Sequence, residues 1–126
     1  MNSTRARNDV DMIFRAFSDR TRLRILTLLR DGELCVADLV KVLKLSQPKV
    51  SRHLAYLRRT SLVTVREQGP WCFYSLAGAR NPFHSKMLEC LGSCFGDVPE
   101  IARDSAKARD LRTTGGCCPD SRTCDP

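Results

Sequence analysis

Three of the chain's seven cysteines fall in its last ten residues. Cys117, Cys118 and Cys124 form the pattern "CCPDSRTC", a vicinal pair and a third thiol within eight residues. Thiolates are soft donors and select soft ions over hard ones. Gly115 and Gly116 let the backbone bend toward the pair, and Pro119 stiffens the return. The pattern therefore reads as a ligand set for a soft ion. A cysteine-rich terminus without a role is the alternative, but idle exposed thiols invite oxidation. Four cysteines remain. Cys35, in "ELCVADLV", is one thiolate and cannot capture a soft ion selectively, so it reads as a half-buried small apolar residue. Cys72, between Trp71 and Phe73, reads as structural. Cys90 and Cys94 lie four apart and share a helical face with Met87 and Leu91. They either pack a core or dimer surface, or one of them replaces Cys124 as the third ligand, within a subunit or across a dimer. Structural zinc is less natural, because it favours four ligands, often with histidine, and the only histidines are His53 and His84.

A second chemistry is written in the charges. The net charge is +7, and residues 39–66 contain no Asp or Glu. That stretch carries Lys41, Lys44, Lys49, Arg52, Arg58, Arg59 and Arg66, as many positive charges as the whole chain has net. A solvated helical surface normally mixes both signs. One sign alone is the footprint of a polyanion, and double-stranded DNA is the obvious one. No Ser/His/Asp set, phosphate loop or paired-carboxylate site is visible, so an enzyme is not expected.

These residues need elements to position them. Val10, Ile13, Phe14 and Phe17 keep helical spacing and give one apolar face. Ser18 and Asp19 are cap-type residues before a second helix through "RTRLRILTLLRDG", with Leu23, Leu26, Leu28 and Leu29 inward and Gly32 at its end. A short helix over 36–43 buries Leu39, Val42 and Leu43. Then comes "LSQPKVSRHLAYLRR": Ser46 is a good N-cap and Pro48 suits the first turn. Val50, Leu54 and Leu57 mark its buried stripe, and Gln47, Lys49, Ser51, Arg52, His53 and Tyr56 the opposite face. "LVTVREQGPWCFYSL" reads as a β-hairpin around "QGP". Asn81 and Pro82 open a helix whose Phe83, Met87, Leu91 and Phe95 recur every four residues. Pro99 starts one more charged helix to about Leu111, and the remainder has no apolar period and is expected to be mobile.

The fold class is mainly α with a small β-hairpin, a winged helix-turn-helix. In such motifs the second helix enters the major groove with its exposed N-terminal residues at base edges. Gln47 suits adenine, Arg52 and Lys49 suit guanine, and Ser51 and His53 lie on the same face. Lys41, Lys44, Arg58 and Arg59 suit phosphates, and the hairpin tip from Arg66 to Trp71 is the wing.

"SDRTRLRILTLL", "ELCVADL", "LSQPKVSRHLAYLRRTSLV" and the hairpin together resemble the ArsR (SmtB) family of metal- and metalloid-responsive repressors, over residues 14–76. The resemblance implies a homodimer through terminal helices such as the one at 82–95, and DNA binding relieved by an ion. Arg20 stands where the family often has Pro, and Ser61 where a Gly often closes the recognition helix. In arsenic-responsive members the stretch resembling "ELCVADLV" carries three cysteines; here Ala37 and Val40 occupy the other two places. Some such members carry instead a vicinal pair and a third Cys beyond the last dimer helix, which Cys117, Cys118 and Cys124 resemble. The two-histidine, two-carboxylate pattern of zinc-responsive members is absent from the sequence.

The sequence thus predicts a cytoplasmic, homodimeric DNA-binding repressor with As(III) or Sb(III) as inducer and no organic cofactor. Residues 1–97 would form the DNA-binding and dimerisation domain, and 98–126 a short charged helix and a flexible tail. No secretory signal or membrane span is expected. A thiol-based redox or reactive-sulfur switch, and an effector-independent architectural DNA-binding protein, are the alternatives.

Overall fold

The computed structural model describes residues 3–114, with side chains from Asp9 onward. Its order is α1 (Ser3–Phe17), α2 (Arg20–Arg30), β1 (Leu34–Cys35), α3 (Val36–Leu43), α4 (Gln47–Arg59), β2 (Val63–Gln68), β3 (Trp71–Leu76), α5 (Pro82–Ser93) and α6 (Pro99–Thr114). The sequence motifs set most of the boundaries. Asp19 caps α2 by accepting the Arg22 N–H at 3.0 Å. Ser46 caps α4 by accepting the Lys49 N–H, and Asn81 caps α5 by accepting the His84 N–H at 2.7 Å. Each satisfies a backbone donor that the helix itself leaves without a partner.

α2 is the hub. Ile25 is wholly buried, and Leu26, Leu28 and Leu29 are nearly so. α1, α4, α5, α6 and β3 all pack against it. The hairpin β2–β3 forms as expected, with Val63 opposite Leu76 and Gln68 opposite Trp71. β3 also pairs antiparallel with β1, Leu34 opposite Tyr74 and Cys35 opposite Phe73, so the sheet order is β1-β3-β2. Two residues carry too little alternation to announce a strand, and β1 was not visible in the sequence.

One face differs from the expectation. Ile13 and Ala16 are the buried residues of α1, whereas Phe14 is 54% exposed. Its ring meets that of Phe83 on α5 at 5.0 Å between centroids. α1 and α5 therefore present a shared aromatic edge to the outside. His84, one residue along, is wholly buried, and its Nδ1 accepts the Arg80 N–H at 3.2 Å. Burial and the nearby Arg80 guanidinium hold its pKa below the ordinary histidine value. No helix among the described residues is long and apolar enough to cross a membrane.

α6 lies against α2 and α3. Arg24 of α2 donates from Nε and Nη2 to the two carboxylate oxygens of Asp104 at 2.7 and 2.9 Å. The two side chains are only 12% and 6% exposed, so each depends on the other. Removing one partner of such a buried pair costs about 3–5 kcal/mol. Arg20, where the resemblance suggests Pro, reaches Glu100 of α6 at 3.2 Å.

The end of α4 is closed by Ser61 in the left-handed region, at φ 61°. The Ser61 N–H donates to Arg58 O at 3.0 Å and the Leu62 N–H to Leu57 O at 2.9 Å. This double closure is one that glycine normally makes, because a Cβ disfavours the left-handed conformation. Arg80 fixes the turn by donating to the carbonyls of Ser61 and Thr60 and to Asp9 of α1. Ser61→Gly should keep every one of these backbone contacts while relieving the strain. Chemical denaturation is expected to show a gain of up to about 1 kcal/mol with unchanged operator affinity.

Candidate nucleic-acid interface

α4 turns two faces to two different environments. Val50, Leu54 and Leu57 are 0–1% exposed. Gln47, Lys49, Ser51 and Arg52 on the other side are open to solvent, and Arg58 and Arg59 extend the open face at the C-terminus. α3 packs behind α4, and Lys44 makes the turn between them with a left-handed φ of 57°. The expected reading residues thus share one accessible surface.

His53 stands apart from them. Its side chain is 18% exposed, with Nδ1 4.0 Å from Asp19 Oδ1. Burial lowers its pKa, and Arg22, Lys49 and Arg52 add to that, against the opposing pull of Asp19. It lies between α4 and the start of α2, at the margin of the open face. Tyr56 is likewise occupied: the Arg22 guanidinium stacks on its ring at 4.0 Å from the centroid.

The hairpin is anchored by Arg66, which pairs with Phe73 partway toward its tip. Its Nη2 and Nε donate to the carboxylate of Glu33 at 2.7 and 3.0 Å, and the guanidinium lies 4.5 Å from the Phe73 ring centroid. Glu33 is held below its ordinary pKa by this contact, outweighing its own burial. Arg66 thus sets the wing's angle to the loop before β1. The tip residues Gln68, Gly69 and Pro70 are exposed.

The described cysteines separate into distinct environments. Cys35 is 2% exposed, more deeply placed than the half-buried position the sequence suggested. It caps α3, its Sγ accepting the Asp38 N–H at 3.5 Å, and packs with Ala37, Trp71 and Phe73. It is also disulfide-bonded, so it is more than an apolar filler. Cys72, Cys90 and Cys94 are free. Cys94 is exposed at the C-cap of α5, and its thiol meets that of Cys90, whose pKa is raised by this hydrogen bond and by burial. Among the described residues no group of three His, Cys, Asp or Glu side chains could hold a metal ion. Cys117, Cys118 and Cys124 lie outside the described residues.

A two-faced helix behind a short helix and a tight turn, with an anchored β-hairpin alongside, defines a winged helix-turn-helix transcriptional regulator. Residues 19–65 match the family model described as bacterial regulatory protein, arsR family. The Escherichia coli arsenical resistance operon repressor is 41% identical over 97 residues, covering 75% of this chain and 83% of the relative. The Pseudomonas putida arsenic resistance transcriptional regulator ArsR1 is 47% identical over 66 residues, 52% of each chain. The solved structure of HlyU from Vibrio cholerae superposes with a TM-score of 0.64 at 35% identity, over 75% of this chain and 98% of that one. The chain belongs to the ArsR family, whose matched members are DNA-binding transcriptional regulators and not enzymes.

The open face of α4 generates a contrast between two arginines. Arg52→Ala is expected to weaken operator binding by roughly 1–3 kcal/mol and to relax base preference. Arg58→Ala should weaken all duplexes about equally, as loss of a phosphate contact does. Binding curves on operator and random duplex distinguish them; an Arg52→Ala curve matching the parent on both removes Arg52 from the reading set.

Proposed function

We propose that the protein is a homodimeric repressor that holds its operator when empty and, with its cysteines reduced, releases it when As(III) or Sb(III) binds the thiolates of Cys117, Cys118 and Cys124. The carrying observation is the "CCPDSRTC" donor set in a chain whose relatives are named as arsenical resistance repressors. Trivalent arsenic keeps a lone pair and takes three soft donors in a pyramid, which suits three thiolates and not the mixed four-ligand shell of structural zinc. Arsenous acid exchanges its three hydroxyls for three sulfurs and releases water. His84, buried and engaged with Arg80, is poorly placed to serve as a zinc ligand.

On the DNA side, Gln47, Lys49, Ser51 and Arg52 would read base edges, with His53 at their margin. Lys41, Lys44, Arg58 and Arg59 would contact phosphates, and Arg66 would act chiefly by orienting the wing. The aromatic edge of Phe14 and Phe83 supports dimerisation through α1 and α5, since a large exposed ring gains by being covered. The targets would be the protein's own promoter and metalloid-export or detoxification genes, in the cytoplasm.

A second reading has one observation in its favour. Cys35 is disulfide-bonded, and a thiol switch would use that bond as its off state. Hydrogen peroxide would take two electrons and two protons from a thiol pair that includes Cys35, and become water. Release of operator by peroxide but not by arsenite, lost in Cys35→Ser, would select it.

For the main reading, Cys117→Ser and Cys118→Ser should each leave operator affinity at the parent value and abolish release by arsenite. Serine is close in size, but its hydroxyl stays protonated at neutral pH and is a poor soft-ion ligand. Cys124→Ser assigns the third ligand: loss of response closes the site within the tail, and a normal response transfers the role to Cys94 or Cys90. Arsenite release that survives in the Cys117→Ser/Cys118→Ser double variant contradicts the proposal.

A further inference from the structure

α6 packs beside α3 as well as on the hub helix. The shielded Arg24–Asp104 pair fixes that placement. Arg24 Nη2 donates to Asp104 and also reaches Leu43 O, at the end of α3, at 3.5 Å. Ala108, the residue after Lys107, is 1% exposed and turned to the core. Lys107 therefore emerges on the rim of α6, next to Lys44 in the α3–α4 turn, and both are exposed. Together with Val42 they line two clefts of about 450 and 420 Å³ between the end of α3 and α6.

The charges around these clefts do not balance. The larger one is also lined by Arg103, Glu100 and Asp104. Both carboxylates are taken: Asp104 by Arg24, and Glu100 by Arg20 and Arg24. Lys44, Arg103 and Lys107 are left at the rim without an ion pair among the described residues. The second cleft adds Lys41 and a single carboxylate, Asp110. Desolvation and then the neighbouring Lys44 ammonium hold the Lys107 pKa below the ordinary lysine value, against the pull of Asp104. Ammonium groups gathered in this way repel one another, and an anion between them removes the repulsion.

Lys44 ties this charge to the recognition helix. Its backbone is fixed by its N–H, which donates to Val40 O at 2.9 Å, and it stands two residues before the Ser46 cap and three before Gln47. The N-terminal end of a recognition helix meets base edges in the major groove, so the turn that precedes it lies near the phosphates along the groove's edge. We propose that α6 is part of the DNA-binding surface: Lys107, with Arg103 one turn before it, joins Lys44 in gripping the phosphate backbone of the strand at that edge. This rests on the reading of the open face of α4 as the DNA face. A polyanion fits better than a lone small anion, because the cations continue from Lys41 and Lys44 to Lys49 and Arg52 with no acid between them. Lys107 and Arg103, four apart on one helical face, extend that row onto an element outside the helix-turn-helix.

The experiment uses the full chain under reductant. Fluorescence anisotropy across a salt series reads its affinity for a labelled duplex from its own promoter and for a random duplex of the same length. Each phosphate contact contributes about 0.9 to the slope of log affinity against log salt. Lys107→Gln should lower that slope by about 0.9 per bound subunit, and weaken both duplexes alike by about 8-fold per bound subunit at about 0.1 M salt. Lys107→Arg should keep the parent slope. Arg109→Gln removes the same charge from the same helix, but from the side that lines a separate cleft with Asp31 and Arg112, and should leave both affinities at the parent value. A parent-like slope in Lys107→Gln overturns the proposal. So does an equal loss in Arg109→Gln, which would be an effect of net charge alone. Lys107→Gln that binds both duplexes like the parent but loses saturable binding of inorganic phosphate also overturns it, by assigning the cleft to a free anion. Parent-like curves for both Arg52→Ala and Arg58→Ala would remove the α4 face itself, a failure distinct from that of Lys107 alone.

Discussion

The recognition helix α4 must bury one stripe and leave the opposite one to solvent, and this division governs the rest of the structure. Val50, Leu54 and Leu57 supply the buried stripe at 0–1% exposure. Each contributes about 1.5–3 kcal/mol when fully withdrawn from water. That is ample to hold a helix whose other face carries lysine and arginine without nearby acids. α3 and α2 provide the surface it rests on, and the Ser61 turn stops it so that β2 can begin two residues later. A reading helix that slid or rolled would lose its stripe and its register together.

The second level of organisation is the use of arginine as a tether. Arg24, Arg66, Arg80 and Arg112 each join elements distant in sequence: α2 to α6, wing to loop, the α4 turn to α1, and α6 to the end of α2. The planar guanidinium serves two acceptors at once, which lysine cannot do with the same geometry. Only the Arg24–Asp104 pair is deeply shielded from solvent. The others hold angles between elements from positions nearer the solvent. α6 is thereby more than an appendage: it packs on the hub helix yet ends within a few residues of the cysteines.

Much of this was legible in the sequence because it is local. Caps at Asp19, Ser46 and Asn81, the period of Val50, Leu54 and Leu57, and the "QGP" turn all act within a few residues, and all appear where the pattern put them. What the pattern missed is long-range. β1 is too short to show alternation and exists only because β3 pairs with it. Phe14 fits the apolar period of α1, but the core takes Ile13 and Ala16 and leaves Phe14 at the edge with Phe83. His53 lies on the polar face by period, yet a carboxylate at the start of α2 turns it partly inward. The tethers were invisible for the same reason: nothing near Arg112 in sequence names Gly32 as its partner. Charge patterning indicated a DNA face, while the chemistry of Cys35 depends on a bond that spacing does not reveal.

The most direct measurement is an ion titration of the reduced full-length protein on labelled operator duplex, with As(III), Sb(III) and Zn(II) in separate series. The proposed thiolate site predicts release by As(III) and Sb(III) near one ion per subunit, with Zn(II) leaving the complex intact at the same concentration. Release by Zn(II) alone, or an operator complex that none of the three ions disturbs, would contradict a soft metalloid site as the switch.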